Sequence, residues 1–284
     1  MTTNVTSTTT RPRSRIARLP WAVPQERVRT AFNQRVLTWL AIAIFFFLYL
    51  PIIVLVVYSF NDNRSVSVWT GFTTRWYTQL LGDRALLSAL RVSLWVAVWS
   101  TIISTIMGTL AALALERYRF RGRLTFDATL YLPVIIPDIV MALSALLFFV
   151  IVAVPLSRYT ILITHVAFNI AFVAVVVRAR LAEMDASLEE AAADLGADSW
   201  TTFRRITLPL LMPGIVSGAL LAFTLSLDDF VITFFVAGPG STTLPVRVYS
   251  MIKFGVTPEV NAISTLMLLG STILVVISLL LQRK

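Results

Sequence analysis

The sequence predicts an all-α, polytopic membrane protein with six transmembrane helices and both termini in the cytoplasm. Three observations carry that prediction. The 284 residues are 57% hydrophobic and 14% charged, with a mean hydropathy of +0.80, which lies outside the range of soluble domains. Apolar segments long enough to cross a bilayer recur between short polar ones. Seventeen Lys and Arg fall on one side of the resulting topology and seven on the other, and the richer side is the cytoplasmic one. Membrane orientation therefore accounts for the net charge of +9, and no nucleic-acid partner is read from it. The chain has no cysteine and a single histidine, His165, so disulfides, thiolate metal sites and histidine-based metal centres are not expected.

The elements follow in order. Residues 1–35 read as a disordered basic cytoplasmic tail: a Thr-rich run, then Arg11, Arg13, Arg15, Arg18, Arg27, Arg29 and Arg35 against Glu26 alone. Residues 36–284 form the transmembrane domain. Its first span, Val36 to Phe60, is long enough to cross and lacks a small-residue cleavage site, so it reads as a span rather than a signal peptide. Pro51 is expected to kink it. Asn61 to Leu90 is an external loop whose Trp69, Phe72, Trp76 and Tyr77 fit an interfacial belt or a short surface helix, with Trp21, Trp69 and Trp76 as interface anchors. Arg91 to Leu115 is the second span, followed inside by Arg117, Arg119, Arg121 and Arg123.

Ala128 to Val152 is the third span, interrupted by Pro133 and Pro137, with Asp138 directly after. Tyr159 to Val177 is the fourth. It carries His165 and Asn169 on one face, where an interhelical hydrogen bond is expected. After the cytoplasmic loop 179–213, Gly214 to Val236 is the fifth span, with the adjacent acids Asp228 and Asp229. Gly238 to Pro258 is an external loop in which Val246 to Phe254 can form an amphipathic helix. Glu259 to Leu281 is the sixth span, and Arg283 and Lys284 return inside.

The polar island Ser187 to Pro213 stands apart from this apolar body. Ser187 can cap a helix with Glu190 at capping-box spacing, and Gly196 can end that helix in the left-handed conformation. A second short helix then starts at Asp198 or Ser199, carries Trp200, Phe203 and Ile206 on one apolar face, and is expected to stop at Pro209. The spacing Glu190-Ala191-Ala192, three residues, Gly196, nine residues, Ile206, one residue, Leu208-Pro209 resembles the full EAA signature of binding-protein-dependent ABC importer permeases. The segments LPVIIPDIVMAL and LSLDDFVITFFVAGPGSTTLPVRVYSMIKFGVTPEVNA extend the resemblance to the second permeases of bacterial spermidine/putrescine importers. It covers roughly Arg91 to the C-terminus and leaves out the tail.

The resemblance implies a type I importer permease in a bacterial inner membrane. It would act in a heterodimer with a related permease, on two ATPase subunits and an extracytoplasmic solute-binding protein, with a polyamine as cargo. Glu190, Ala191, Ala192, Gly196, Ile206, Leu208 and Pro209 would seat on the ATPase. The chain contains no GxxxxGK[ST] phosphate loop. It is accordingly expected to be a transport subunit rather than an enzyme and to bind no cofactor, with ATP and magnesium held by the partner.

A central Asp in a span costs about 2.5–3.5 kcal/mol on insertion scales, so Asp138, Asp228 and Asp229 should face protein or water. At the helical rise, Asp138 and Asp228 lie roughly 16 Å and 22 Å from the cytoplasmic ends of their spans. Adjacent residues are about 100° apart on a helix, so Asp228 and Asp229 cannot point the same way. Each acid has two open roles, contact with a cationic solute or a buried hydrogen bond. Phe230, Phe234 and Tyr249 are candidate cation–π partners along the path. Two other classes are compatible with acids in apolar helices. An intramembrane aspartyl protease needs two carboxylates at one site, whereas this adjacent pair diverges. A proton-coupled carrier would use Asp138, His165 and Asp228 as a relay.

Overall fold

The computed structural model describes residues 31–65, 68–185, 187–253 and 255–282, with the side chains of residues 31–35 and 277–282 excepted. Residues 1–30 of the expected tail lie outside them. Residues 31–35, assigned to that tail by charge, already belong to helix α1, Ala31–Tyr58, which runs through Pro51 without ending. The chain divides into two compact units at Ile53. Within the second unit, α1 is followed by a loop organised on buried Asn61. The Asn61 amide donates to Ser65 and Val68 carbonyls and accepts from the Asn63 and Thr70 amides, and its backbone carbonyl takes the Trp76 indole N–H at 2.7 Å.

Helix α2, Arg75–Gly82, is the short surface helix allowed by the aromatic pattern. Its Trp76 corrects an expectation. This side chain is 4% exposed and packs with Leu80, Leu86, Leu244, Val248 and Ile263, so it is a core residue and not an interface anchor. The loop is also shorter than its polarity suggests, because Asp83 caps the next helix through the Ala85 and Leu86 amides. That helix, α3, spans Arg84–Arg117.

Among the described residues, five helices are long and apolar enough to cross a membrane: Val36–Tyr58 within α1, α3, α6 (Arg158–Ala182), the stretch Ser199–Asp228, and Pro258–Val276 at the start of α12 (Pro258–Gln282). The expected third span is a broken pair, α4 (Arg123–Ile135) and α5 (Asp138–Ile151), bent by 112°. Two prolines explain a break sharper than a kink. Pro133 contributes no amide, and Pro137 drives Ile136 into extended geometry at ψ 133°. Counting the pair as one span gives six.

The centre of the bundle is the packing of α3, α6 and α9 (Leu208–Asp228). Small residues permit it. A Cβ on Gly108 would lie 2.8 Å from Val173 Cβ and 2.9 Å from the Ile170 carbonyl oxygen, so α3 and α6 touch backbone to side chain there. We expect Gly108→Val to cost about 1–3 kcal/mol through overpacking. The check is a lowered unfolding midpoint of the purified chain in detergent, with Gly270→Ala, where a Cβ meets nothing within 4 Å, as the neutral control.

The expected fifth span also breaks. Helix α9 ends at Asp228, Asp229 is extended at ψ 124°, and α10, Val231–Val236, begins again. Helix α11, Leu244–Lys253, is the amphipathic helix of the last external loop, with Leu244, Pro245 and Val248 turned inward. Phe254 lies outside the described residues.

Candidate functional site

Two regions gather the residues singled out by sequence. The cytoplasmic one is the loop between α6 and α9. Its first helix, α7, spans Ser187–Asp194. Ser187 is not its cap: the Ser187 amide donates to Asp185 Oδ1 at 2.9 Å, because an Asp two residues upstream reaches that amide in a local turn. Hydrogen bonds from Ser187 hold the Asp185 carboxyl below the ordinary carboxylate range. Glu190, the expected second half of a capping box, is exposed.

Gly196 ends α7 with φ +85°. The Ala197 amide reaches back to the Ala192 carbonyl at 3.0 Å and the Gly196 amide to Ala193 at 2.9 Å, the paired bonds of a Schellman ending. Asp198, not Ser199, caps α8 (Ser199–Thr202), accepting from the Trp200 and Thr201 amides. Here the structure departs from the sequence reading again. Pro209 does not stop this helix. A π turn at Phe203–Thr207 carries it directly into α9, and the Leu208 amide bonds five residues back to Phe203. The wider turn accommodates the second position of α9, where proline offers no amide.

The loop sorts its residues into two faces. Ala192 and Thr207 are buried, Ile206 and Leu208 are half-buried, and Glu190, Ala191, Gly196 and Pro209 are exposed. Leu195, 89% exposed, and Trp200, 66% exposed, add large apolar side chains to the exposed surface of the loop. Such a mixed, protruding surface is suited to a protein partner.

Glu189 points the other way. Both carboxylate oxygens take the two terminal nitrogens of Arg117 at the end of α3, and the Thr207 hydroxyl donates to Glu189 Oε1 at 2.5 Å. The Arg117 guanidinium, followed by the Thr207 hydroxyl, holds the Glu189 carboxyl below its ordinary range, against the opposing effect of burial. A depressed folded pKa gives stabilisation that is present above the unfolded pKa and lost as pH falls through the folded one. The contact is therefore intact at neutral pH. A groove of about 860 Å³ separates the end of α3 from the loop, lined by Leu110, Arg117, Tyr118, Trp200, Phe203 and Thr207. Beside it, Arg178 of α6 binds Asp127 at 2.6 Å and the Tyr131 hydroxyl at 3.0 Å in α4, and lies 3.7 Å from Glu116 of α3.

The second region surrounds the α9–α10 break. Asp229 caps α10, accepting from the Ile232 amide at 3.2 Å and from the Thr233 amide and hydroxyl at 2.8 Å each. His165 Nε2 is 3.2 Å from Asp229 Oδ2, and Nδ1 is 2.7 Å from Ser226 Oγ. A neutral ring with its proton on Nε2 donates to Asp229 and accepts from Ser226, which in turn accepts from Ser100 at 2.9 Å. The interhelical hydrogen bond expected of His165 is present. Asn169, one turn away and fully buried, has no protein partner for either amide atom among the described residues.

Asp228 diverges from its neighbour and is exposed. It lines a cleft of about 650 Å³ with Phe230, Tyr249, Ser264, Ser271 and Thr272. The Phe230 and Tyr249 rings are 4.6 Å apart, Phe234 is 5.4 Å from Phe230, and the Lys253 ammonium sits 5.0 Å over the Tyr249 ring. The structure thus brings Asp228, Phe230, Phe234 and Tyr249 together and turns Asp229 inward. Asp138 opens α5 at the other break, and among the described residues no hydrogen bond or ion pair joins it to this group. The proton relay considered above is not assembled, since His165 meets Asp229 rather than Asp138 or Asp228.

Glu189, Arg117 and Thr207 were not singled out by sequence. Consecutive residues of a helix lie about 100° apart, and applied to Glu189 and Glu190 of α7 this would have marked one of them as inward.

A family model described as binding-protein-dependent transport system inner membrane component matches residues 104–284. The putrescine transport system permease protein PotI of Escherichia coli (strain K12) is 51% identical over 231 residues, covering 79% of this chain and 82% of that protein. The spermidine/putrescine transport system permease protein PotC of the same strain is 46% identical over 241 residues, covering 85% and 91%. A crystal structure of a bacterial ABC transporter involved in the import of the acidic polysaccharide alginate superposes with a TM-score of 0.68 at 18% identity, covering 90% of this chain and 97% of that one. The last likeness concerns the fold.

Proposed function

The chain belongs to the family of binding-protein-dependent transport system inner membrane components, and from that premise we propose that it carries polyamines inward across a bacterial inner membrane as one permease of a heterodimer. It is a multi-pass membrane protein and a transport subunit that does no catalysis of its own. Two partner ATPase subunits would hold ATP and magnesium and supply the work, and an extracytoplasmic binding protein would deliver the solute.

The observation that carries the reading is the two-faced loop, which turns Glu189 inward and leaves Glu190, Ala191, Leu195, Gly196 and Trp200 exposed. When the ATPase dimer closes, a helix seated on it is displaced, and the π turn continues that helix into α9 without a joint. Alternating access follows if this displacement opens one end of the bundle and closes the other. Support for a polyamine cargo comes from the putrescine permease PotI and the spermidine/putrescine permease PotC, and from Asp228 beside Phe230, Phe234 and Tyr249. A carboxylate with aromatic faces attracts an extended polycation without trapping it. The fold does not choose the cargo, since the alginate importer shares it and moves a polyanion.

Uptake by the reconstituted complex tests this directly. Proteoliposomes holding this chain with its partner permease, ATPase and binding protein are expected to accumulate putrescine or spermidine only with ATP inside the ATPase compartment, and not glutamate or maltose. Preference for another solute would overturn the cargo, and transport by the chain alone without ATP would overturn the importer.

A further inference from the structure

We infer that Glu189 is a positioning residue that locks the coupling loop to the body of the permease, so that α7, the cytoplasmic end of α3 and the π turn move as one piece. This rests on the reading of the loop as the ATPase seat and specifies how movement leaves it. Helix α7 has eight residues, too few to hold its orientation by itself. Only Ala192 of α7 is buried, so apolar packing does little to hold it. Its orientation is fixed by one side chain with two partners. Both Glu189 oxygens engage Arg117, a fork geometry that restricts rotation as well as separation. The Thr207 hydroxyl engages the same carboxylate at 2.5 Å.

The positions of those partners give the contact its consequence. Arg117 is the last residue of α3, and its neighbour Glu116 lies 3.7 Å from Arg178, which binds Asp127 and Tyr131. A displacement of α7 is thereby passed to α3, and through Arg178 to α6 and α4. Thr207 closes the π turn, so the same carboxylate also ties α7 to the start of α9. Glu189 spends its charge within the chain, which leaves Glu190 as the acid offered to the partner.

The chain has no cysteine, so a cysteine pair introduced into it is the one it offers for cross-linking in the reconstituted complex. Glu189→Gln and Arg117→Gln are each expected to lower uptake about tenfold, the size of a typical coupling, and to lower the ratio of binding-protein-stimulated to basal ATP hydrolysis while the ATPase still copurifies. The exchanged pair, Glu189→Arg with Arg117→Glu, should recover much of both. A Glu189→Cys, Arg117→Cys complex bridged by a bifunctional methanethiosulfonate should transport while bridged, because the contact stays closed through the cycle. Wild-type coupling in both single variants, an exchanged pair no better than either, or transport that stops on bridging and returns on reduction would each overturn the lock. Glu190→Lys separates this from the seat itself: if that complex binds its ATPase and transports normally, the coupling reading fails, whereas loss there with normal Glu189 variants removes the lock alone.

Discussion

Replacing Gly196 by proline is expected to abolish ATP-driven uptake while the chain still inserts into the membrane. The glycine sits at φ +85°, and proline is fixed near −65°, so the loop cannot keep its path. Proline also deletes the amide that bonds the Ala193 carbonyl, one of the two bonds that end α7. Both changes rotate α8 against α7 and so alter how Glu190 of α7 is presented relative to the α8 side chains. The size of the effect follows from the backbone and not from crowding, because a Cβ at Gly196 meets nothing within 4 Å. Gly196→Ala thus bears only the left-handed conformation, about 1–2 kcal/mol, and should keep a measurable part of the uptake. A β-branched valine should fall between alanine and proline. The series is read as uptake in vesicles and as ATPase retained on the purified chain. Wild-type uptake by an assembled Gly196→Pro complex would remove the loop angle from the coupling mechanism.

The same residues show what a sequence discloses about such a protein. Hydropathy and charge place the long helices, since a bilayer imposes a length and a sidedness that survive any tertiary detail. Gly196 and Asp198 were legible as punctuation because their conformations are local. The breaks were not. Pro133 and Pro137 announce a defect but not its 112° size, which depends on what the two halves pack against. Pro209 announces a stop, and the π turn overrides it by shifting one hydrogen bond to the fifth residue back.

Adjacent acids were the least legible feature. Helical geometry makes Glu189 and Glu190 diverge, and the extended backbone at Asp229 turns it away from Asp228 at the end of α9, but only the fold decides which member turns inward. Arg117 and Thr207 claim Glu189 from 72 and 18 residues away, and His165 claims Asp229 from 64. In each pair the inward acid holds a joint and leaves its neighbour on a surface. The EAA spacing marks the outward Glu190, whose setting a sequence motif can record, and gives no sign of the partners of Glu189.

That division makes the two aspartates at the α9–α10 break separable by experiment. Asp229→Asn is expected to destabilise the chain by about 1–3 kcal/mol, the cost of leaving buried hydrogen-bonding groups without their partner. All its partners donate: His165, the Ile232 amide, and the Thr233 amide and hydroxyl. An amide group must therefore set an NH₂ against a donor. The unfolding midpoint in detergent should fall, and transport should fall with it. Asp228→Asn removes an exposed charge beside Phe230 and Tyr249, so the midpoint should not move. Its loss is attraction for a cation, about 1–2 kcal/mol, or roughly tenfold in apparent KM for putrescine. A neutral solute carried by the same complex would be unaffected. If Asp228→Asn unfolds the chain, or if Asp229→Asn keeps its stability and loses only polyamine uptake, the two carboxylates exchange roles and the path runs past His165 instead of past the aromatic cleft.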